Sequence, residues 1–213
     1  LSNVFLSNVF PMPKRTSTTP IRNKANTTDS LDTRKKMDKM AAACVFLAQG
    51  IPFIQAGQDF LRSKPLPGGA YDHNSYNSPD AVNSLKWDRK SEFRDVFDYY
   101  KGLIEFRKAH SALRMFTAED IGRNMKFFDH LPQRIVGFGL YGDCELEEII
   151  VFFNPTNDDI TLHAFGEYNV YIDGDNAGNK PLYTVCDDYI IKPHSTMVMG
   201  RPYPQPEEEE AAE

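Results

Sequence analysis

The stretch GIPFIQAG, residues 50–57, decides how the rest of the chain is read. Ile51, Phe53 and Ile54 favour extended backbone, glycines bound the run, and it is too short for an ordinary helix. Just upstream, DTRKKMDKMAAACVFLAQG (residues 32–50) starts charged and becomes apolar. Met37, Met40, Ala41, Cys44, Val45 and Ala48 fall at helical spacing, which makes Cys44 a small core residue rather than a nucleophile. Asp29, Ser30 or Asp32 is placed to cap this helix near Leu31, and Gly50 supplies its stop. An apolar helix feeding a short, unalternating strand predicts a strand buried on both faces, as in parallel α/β sheets. Ligands of such sheets bind beyond the carboxyl ends of the strands, so the loop after Gly57 is where a site is expected.

That loop, QDFLRSKPLPGGAYDHNSYNSPDAVNSLKWDRKSEFR (residues 58–94), shows little periodicity, and loops this long in folded domains are functional or disordered. Phe60, Tyr71, Tyr76 and Trp87 stand among Asp, Asn, His, Arg and Lys, which argues against disorder. Aromatic rings for stacking beside multi-donor, multi-acceptor side chains suit a polyhydroxylated ligand. DHNSYNSPD (residues 72–80) reads equally as a series of Asx turns or as a binding loop.

Beyond the loop, DVFDYYKGLIEFRKA (residues 95–109) predicts a second helix with Val96, Tyr99, Tyr100, Leu103, Ile104 and Arg107 on its inner face. From Ala118 the texture changes to short runs of period two: KFFDHL, RIVGFGLYG, EIIVFFNP, ITLHAF, YNVYIDG, PLYTV, YIIKP and STMVMG. With turn residues between them, these predict an antiparallel β-sandwich.

Composition narrows the function. The 213 residues carry 24 Lys+Arg and 30 Asp+Glu, a net charge of −6, and five of the acids (Glu207, Glu208, Glu209, Glu210 and Glu213) crowd the last seven positions. A near-neutral body without a basic face argues against nucleic acid as a partner. No apolar run approaches the ~20 residues that span a bilayer, so no membrane partner is expected. Cys44, Cys144 and Cys186 lie too far apart for a disulfide framework or a CxxC zinc site. The five histidines lack HxxxH or HExxH spacing, leaving Asp72–His73–Asn74 as the only local cluster, and no metal site is expected. YIDGDNAG (residues 171–178) lacks the later ligands of a calcium loop and reads as a hairpin turn around Gly174, while PLPGG (residues 65–69) is a turn without the Walker lysine. There is no GxSxG elbow.

Taken together, GIPFIQAGQDFLRSK followed by DHNSYNSPDAVNSLKWDRK resembles the last barrel strand and following loop of type I pullulanases of the α-amylase superfamily. RKKMDKMAAACVFLAQG resembles the helix before that strand, and FRDVFDYYKGLIEFRKAHSALR the final barrel helix. FFNPT, YNVYIDGDNAG and IIKPHSTMVM look like the C-terminal β-sandwich of that family. The resemblance runs from about Leu31 to Met199 and implies the last strand and flanking helices of a (β/α)8 barrel (residues 31–114) followed by an antiparallel sandwich (115–201). Residues 1–30, which open with LSNVF twice and show no signal-peptide pattern, are expected to be a linker or a non-native or disordered segment; residues 202–213 are expected to be a disordered acidic tail.

The same resemblance implies hydrolysis of α-1,6-glucosidic bonds in pullulan and branched α-glucans with retention of configuration, and no cofactor. Retaining hydrolysis requires a nucleophilic carboxylate and an acid/base carboxylate about 5 Å apart. The family takes these from its fourth and fifth barrel strands, and its His-Asp-Asn segment should precede the first helix, where this sequence has NKANTTDS (residues 23–30). No catalytic residue is therefore carried over. A lone loop carboxylate such as Asp59, Asp72 or Asp80 cannot fill both roles. The implied substrate-binding residues are Arg62, Lys64, Asp72, Asn74, Tyr76 and Asn77, which match motifs bordering the family's cleft. Tyr76 or Tyr71 would offer a stacking surface; Asp72, Asn74 and Asn77 would bond sugar hydroxyls or hold the loop, and Arg62 is alternatively structural. Where the family often has Glu, this chain has Gln58 or Asp59. Two functions follow: the C-terminal portion of such a hydrolase, inactive alone, or a non-catalytic accessory protein whose sandwich supports folding or binds α-glucan weakly.

Overall fold

The computed structural model describes residues 29–67, 71–72 and 74–204. Most of the expected N-terminal linker (residues 1–28), the PLPGG glycines, His73 and the acidic tail from residue 205 lie outside the described residues.

The first helix, α1 (Leu31–Phe46), begins where the Ser30 hydroxyl accepts a hydrogen bond from the Thr33 amide at 3.1 Å. Its buried face carries Met40, Ala43, Cys44, Phe46 and Leu47, displaced from the stripe the sequence predicts, and Ala41 and Val45 are only half-buried. Burial pushes the Cys44 thiol up to about 12, which leaves it an inert apolar filler. Two short helices follow in the long loop, α2 (Asp80–Asn83) and α3 (Arg89–Glu92), and the long α4 (Arg94–Ala109) comes directly after them. Phe106 of α4 is fully buried, whereas Ile104, expected inside, is exposed.

Lys35 and Lys39 of α1 reach Asp95 of α4 at 2.6 and 3.6 Å, and Tyr100 donates to Asp38 at 3.1 Å. At the other end the Arg107 guanidinium donates to the carbonyls of Phe46, Ala48 and Gly50 at 2.7, 2.7 and 2.5 Å. A cation at a helix C-terminus neutralises the orphan carbonyls there, so this one side chain fixes where α1 ends and the next segment begins.

That next segment is the one expected to be a buried strand. Residues 51–55 pair with no strand among the described residues, and Ile51 and Phe53 are 96% and 89% exposed. Ile54 packs against the main core, so one side of the segment meets protein and the other meets solvent. The expectation of burial on both faces fails for a simple reason: a parallel strand needs laterally paired neighbours, and none of the described residues forms one beside it.

From Thr117, whose hydroxyl accepts from the Asp120 amide at 3.0 Å, a short helix α5 (Ala118–Asn124) forms where strand texture was expected to begin. Six strands follow: β1 (Met125–Phe127), β2 (Val136–Tyr141), β3 (Leu146–Asn154), β4 (Ile160–Ile172), β5 (Tyr183–Ile191) and β6 (Ser195–Pro202). They form one antiparallel sheet in the order β1-β2-β3-β6-β4-β5. Eight apolar runs thus become six strands, because ITLHAF and YNVYIDG fall in one strand, β4, and PLYTV and YIIKP in another, β5. The register of β4 shifts between Ala164 and Tyr168, where Gly166 at φ +102 permits a bulge that bends the strand without ending it.

Alternation sends Ile149, Val151 and Phe153 of β3, with Val198 of β6, into a core shared with α1 and α4. The opposite face buries Phe152, Tyr168, Val170, Tyr189, Ile191, Met197 and Met199 as a second cluster. Phe152 of β3 and Tyr189 of β5 meet across it with ring centroids 6.0 Å apart. The strands expected to split into two sheets therefore stay in one hydrogen-bonded sheet with an apolar cluster on each side.

Helices and sheet are joined at two points. The 173–178 turn lies against α4, with Tyr99 donating to the Asp173 carbonyl at 2.9 Å and Lys39 to the Asp175 carbonyl at 3.2 Å. A Cβ on Gly102 would lie 2.0 Å from the Ala177 carbonyl oxygen, so only glycine allows this approach. At the second point, buried Asp143 in the β2–β3 turn accepts from His110 Nδ1 at 2.9 Å and from the amides of Ala112, Glu145 and Leu146 at 3.0, 2.9 and 3.2 Å. Burial pushes this carboxyl up, but the bonds from His110 and the Ala112 and Glu145 amides outweigh it and hold the pKa at about 2.

Gly102→Ala should lower the urea midpoint despite alanine's better helix propensity, at a net cost of about 1 kcal/mol or more, since displacing backbone outweighs propensity. Because the Asp143 carboxyl titrates lower folded than unfolded, its contribution is complete above pH ~4 and fades as pH falls towards ~2. Asp143→Ala should cost on the order of 3 kcal/mol at neutral pH and flatten the acid limb of stability against pH, measured by urea denaturation across that range.

Candidate functional site

The loop after Gly57 is built on its own polar side chains. Gly57 (φ +86) and Leu61 (φ 54) adopt left-handed backbone on either side of a 3-10 turn, Gln58–Phe60. A Cβ on Gly57 would meet Leu85 Cδ2 at 2.9 Å and Arg62 Cβ at 3.0 Å, so the chain reverses over a packed floor. Arg62 lies along that floor and donates to the Ala56 carbonyl at 3.4 Å and to the Asn83 carbonyl. Arg89 holds the next turn by donating twice to the Leu61 carbonyl, at 3.1 and 2.8 Å. Gln58 is partly buried, donates to the Tyr100 hydroxyl at 3.3 Å, and ties the loop entrance to α4.

Further on, the Asp72 amide donates to the Lys64 carbonyl at 2.9 Å beside a bridge between Pro65 and Tyr71. The Lys64 ammonium is buried and donates to the Ser75 hydroxyl. Asp72 uses both carboxylate oxygens within the loop: one accepts from the Asn74 amide at 2.9 Å and the other from the Ser78 hydroxyl. Asn83 closes the arrangement, its amide donating to the carbonyls of Ser75 and Ser78 at 2.6 and 2.8 Å.

The six residues singled out from the sequence therefore divide into two groups. Arg62, Lys64 and Asp72 bond the loop's own backbone and hydroxyls. Asn74, Tyr76 and Asn77 are exposed, with Tyr76 at 84%, on or beside the short turn Ser75–Asn77 that the first group holds. Tyr71 is only marginally exposed, so Tyr76 is the ring available for stacking in this run. Trp87 presents a second ring, 64% exposed and backed by buried Phe60 with centroids 5.5 Å apart.

Sequence reasoning missed Asn83, Ser75 and Ser78 as supports. Their signal was present in the density of Asn and Ser around Pro79, since such side chains satisfy backbone groups in turns. Elsewhere, Asp173 accepts from the amides of Asp175 and Asn176 at 2.9 and 2.7 Å, which makes YIDGDNAG an Asx turn. Among the described residues no three His, Cys, Asp or Glu side chains gather as a metal would require, and no helix is long and apolar enough to cross a membrane.

The chain is similar to pullulanases and isoamylases in sequence, and to type I pullulanases in structure. Pullulanase of Bacillus subtilis strain 168 is 39% identical over 133 residues, which is 61% of this chain and 18% of that protein. Pullulanase from Bacillus acidopullulyticus superposes with a TM-score of 0.78 at 37% identity, covering 85% of this chain and 22% of that one. The type I pullulanase of Bacillus subtilis strain 168 complexed with maltose gives 0.76 at 28% identity, over 85% of this chain and 25% of that one. The chain spans about a fifth to a quarter of the length of these relatives. No family model matches it.

Asn83→Ala should leave two loop carbonyls without donors and loosen residues 74–83. Amide hydrogen exchange there should accelerate by roughly tenfold, matching ~1–2 kcal/mol of lost local stability, while α4 stays protected.

Proposed function

We propose that this chain is the C-terminal portion of a starch- or glycogen-debranching glycoside hydrolase of the pullulanase type, inactive without the rest of the catalytic body. Residues 31–114 act as the last strand region and flanking helices of a (β/α)8 barrel, and residues 115–201 as the C-terminal antiparallel β domain, folded as one sheet and not as the two-sheet sandwich expected. The observation that carries the reading is the segment 51–55, which pairs with no strand among the described residues, is open on the side of Ile51 and Phe53, and leads directly into the Asp/Asn/Tyr loop. In a closed barrel the same segment has a strand on each side and its loop stands at the carboxyl end, where barrel enzymes bind substrate.

The substrate class is a branched α-glucan. Relatives complexed with maltose and maltotriose support this, as does the display of Tyr76 between Asn74 and Asn77. A glucose ring offers an apolar face to the Tyr76 phenol and hydroxyls to the two amides. Arg62, Lys64 and Asp72 serve the site by fixing the turn that carries these groups. Bond cleavage by retention takes a nucleophile and an acid/base carboxylate, and in this reading the remainder of the body contributes both. Asp72 is unsuited to either role because both its oxygens already accept bonds.

The accessory-protein reading asks for a platform of aromatic rings on one face of the sheet. The exposed rings Phe127 and Tyr183 lie on β1 and at the start of β5, the two opposite edge strands, which favours the hydrolase reading.

A chimaera decides it: residues 31–201 replace the matching stretch of the Bacillus subtilis pullulanase. The chimaera should hydrolyse pullulan and the isolated chain should not; a folded, inactive chimaera or an active isolated chain overturns the proposal. In the active chimaera, Tyr76→Ala should weaken maltotriose binding by about three- to tenfold, from the loss of one stacking contact, as read by calorimetry.

A further inference from the structure

Trp87 is the single tryptophan of the 213 residues, and its large apolar ring is exposed, where an indole is ordinarily well covered. Phe60, buried at the end of the turn Gln58–Phe60, supports it with ring centroids 5.5 Å apart and planes inclined by 39°. The backbone under both rings is fixed. The Phe60 amide donates to the Gly57 carbonyl at 3.2 Å, and the amides of Arg89 and Lys90 donate to the carbonyls of Lys86 and Trp87 at 3.2 and 3.1 Å. The Arg89 side chain joins the two turns through its bonds to the Leu61 carbonyl. The indole is therefore held just before α3 on a buried ring, with much of its surface left in water.

The residues flanking it are charged. Lys86 donates to the Ser84 hydroxyl at 2.6 Å. Asp88 is exposed, and its carboxylate makes no hydrogen bond or ion pair among the described residues. The centre of a protein interface is depleted of charge, so a ring between Lys86 and Asp88 does not fit that pattern. A pyranose does: it offers C–H groups on one face for stacking and hydroxyls around its rim for polar and charged side chains. Resting on the α-glucan reading above, we infer that Trp87 is a second glucan contact of this chain, distinct from Tyr76. Its indole stacks on a glucose ring, and the Asp88 carboxylate accepts from a hydroxyl of the same saccharide. The two contacts hang on different supports, Tyr76 on the turn held by Lys64, Asp72 and Asn83, and Trp87 on Phe60 and Arg89. Because ring and backing are in place before the ligand arrives, little ordering opposes the stacking.

The full 213-residue chain carries its own reporter, since selective excitation of tryptophan reaches Trp87 alone. Titration with maltotriose should change the Trp87 emission and saturate. By calorimetry Trp87→Ala should weaken maltotriose binding roughly three- to tenfold, while Trp87→Phe, which keeps a ring over Phe60, should recover most of the loss. Asp88→Ala should weaken it about threefold or more, from one lost hydrogen bond. Phe116→Ala, at an exposed ring outside the loop, should leave it unchanged. In Tyr76→Ala the emission should still respond, at higher maltotriose. Trp87 and Asp88 are both exposed, so circular dichroism of their variants should match the parent chain. Emission that ignores maltotriose, or undiminished binding by Trp87→Ala, overturns the contact. If the chimaera hydrolyses pullulan while Trp87 emission ignores maltotriose, the Trp87 contact falls and the hydrolase reading stands. If the emission responds but the folded chimaera is inactive, the contact stands and the hydrolase reading falls.

Discussion

The guanidinium of Arg107 is buried where α1 stops, and three carbonyls on that stop, from Phe46, Ala48 and Gly50, converge on it. Burial and the nearby Arg114 pull its pKa down, yet a guanidinium remains charged, so the cost of desolvating it is offset by bonds to the negative end of a helix. Much of the geometry follows from this contact. It sets the angle at which the chain leaves α1 and places residues 51–56 along α4. It also starts the Gly57 turn from a fixed point, and the 58–94 loop inherits that position. Gln49, clasping Ala112 and Met115, repeats the constraint from the neighbouring residue.

Around this joint the molecule spends its polar groups on holding backbone. Asp143 gathers His110 and three amides, Asn83 takes two carbonyls, and Lys64 is buried against Ser75. Each is a local device that makes a turn or a junction rigid at the expense of a side chain's freedom. The result is a loop in which Asn74, Tyr76 and Asn77 are exposed while Lys64, Asp72 and Asn83 tie its frame together. Such preorganisation is what a polyhydroxylated ligand needs, because its many weak contacts count only if they need not be ordered on binding.

The similarity to pullulanases covers only part of their length. A stretch matching about a fifth to a quarter of its relatives holds a sheet with both faces covered, two packed helices and one fixed loop. Ile51 and Phe53, on the open side of residues 51–55, are 96% and 89% exposed.

Sequence alone settled what depends on neighbours in the chain. Asp29, Ser30 or Asp32 marked the start of α1 near Leu31, DVFDYYKGLIEFRKA read as a helix, and EIIVFFNP read as a strand. The DHNSYNSPD run was legible as a place of polar turns. Tertiary structure decided whatever depends on what lies across space. It divided that run into supports and displayed groups, since Asp72 and Tyr76 differ in their partners and not in their local pattern. It merged two predicted strands into β4 through the Gly166 bulge, and joined into one sheet what periodicity had split into two. It also left Ile51 and Phe53 in water, because a strand is made by the hydrogen bonds of its neighbours and no sequence of its own can supply them.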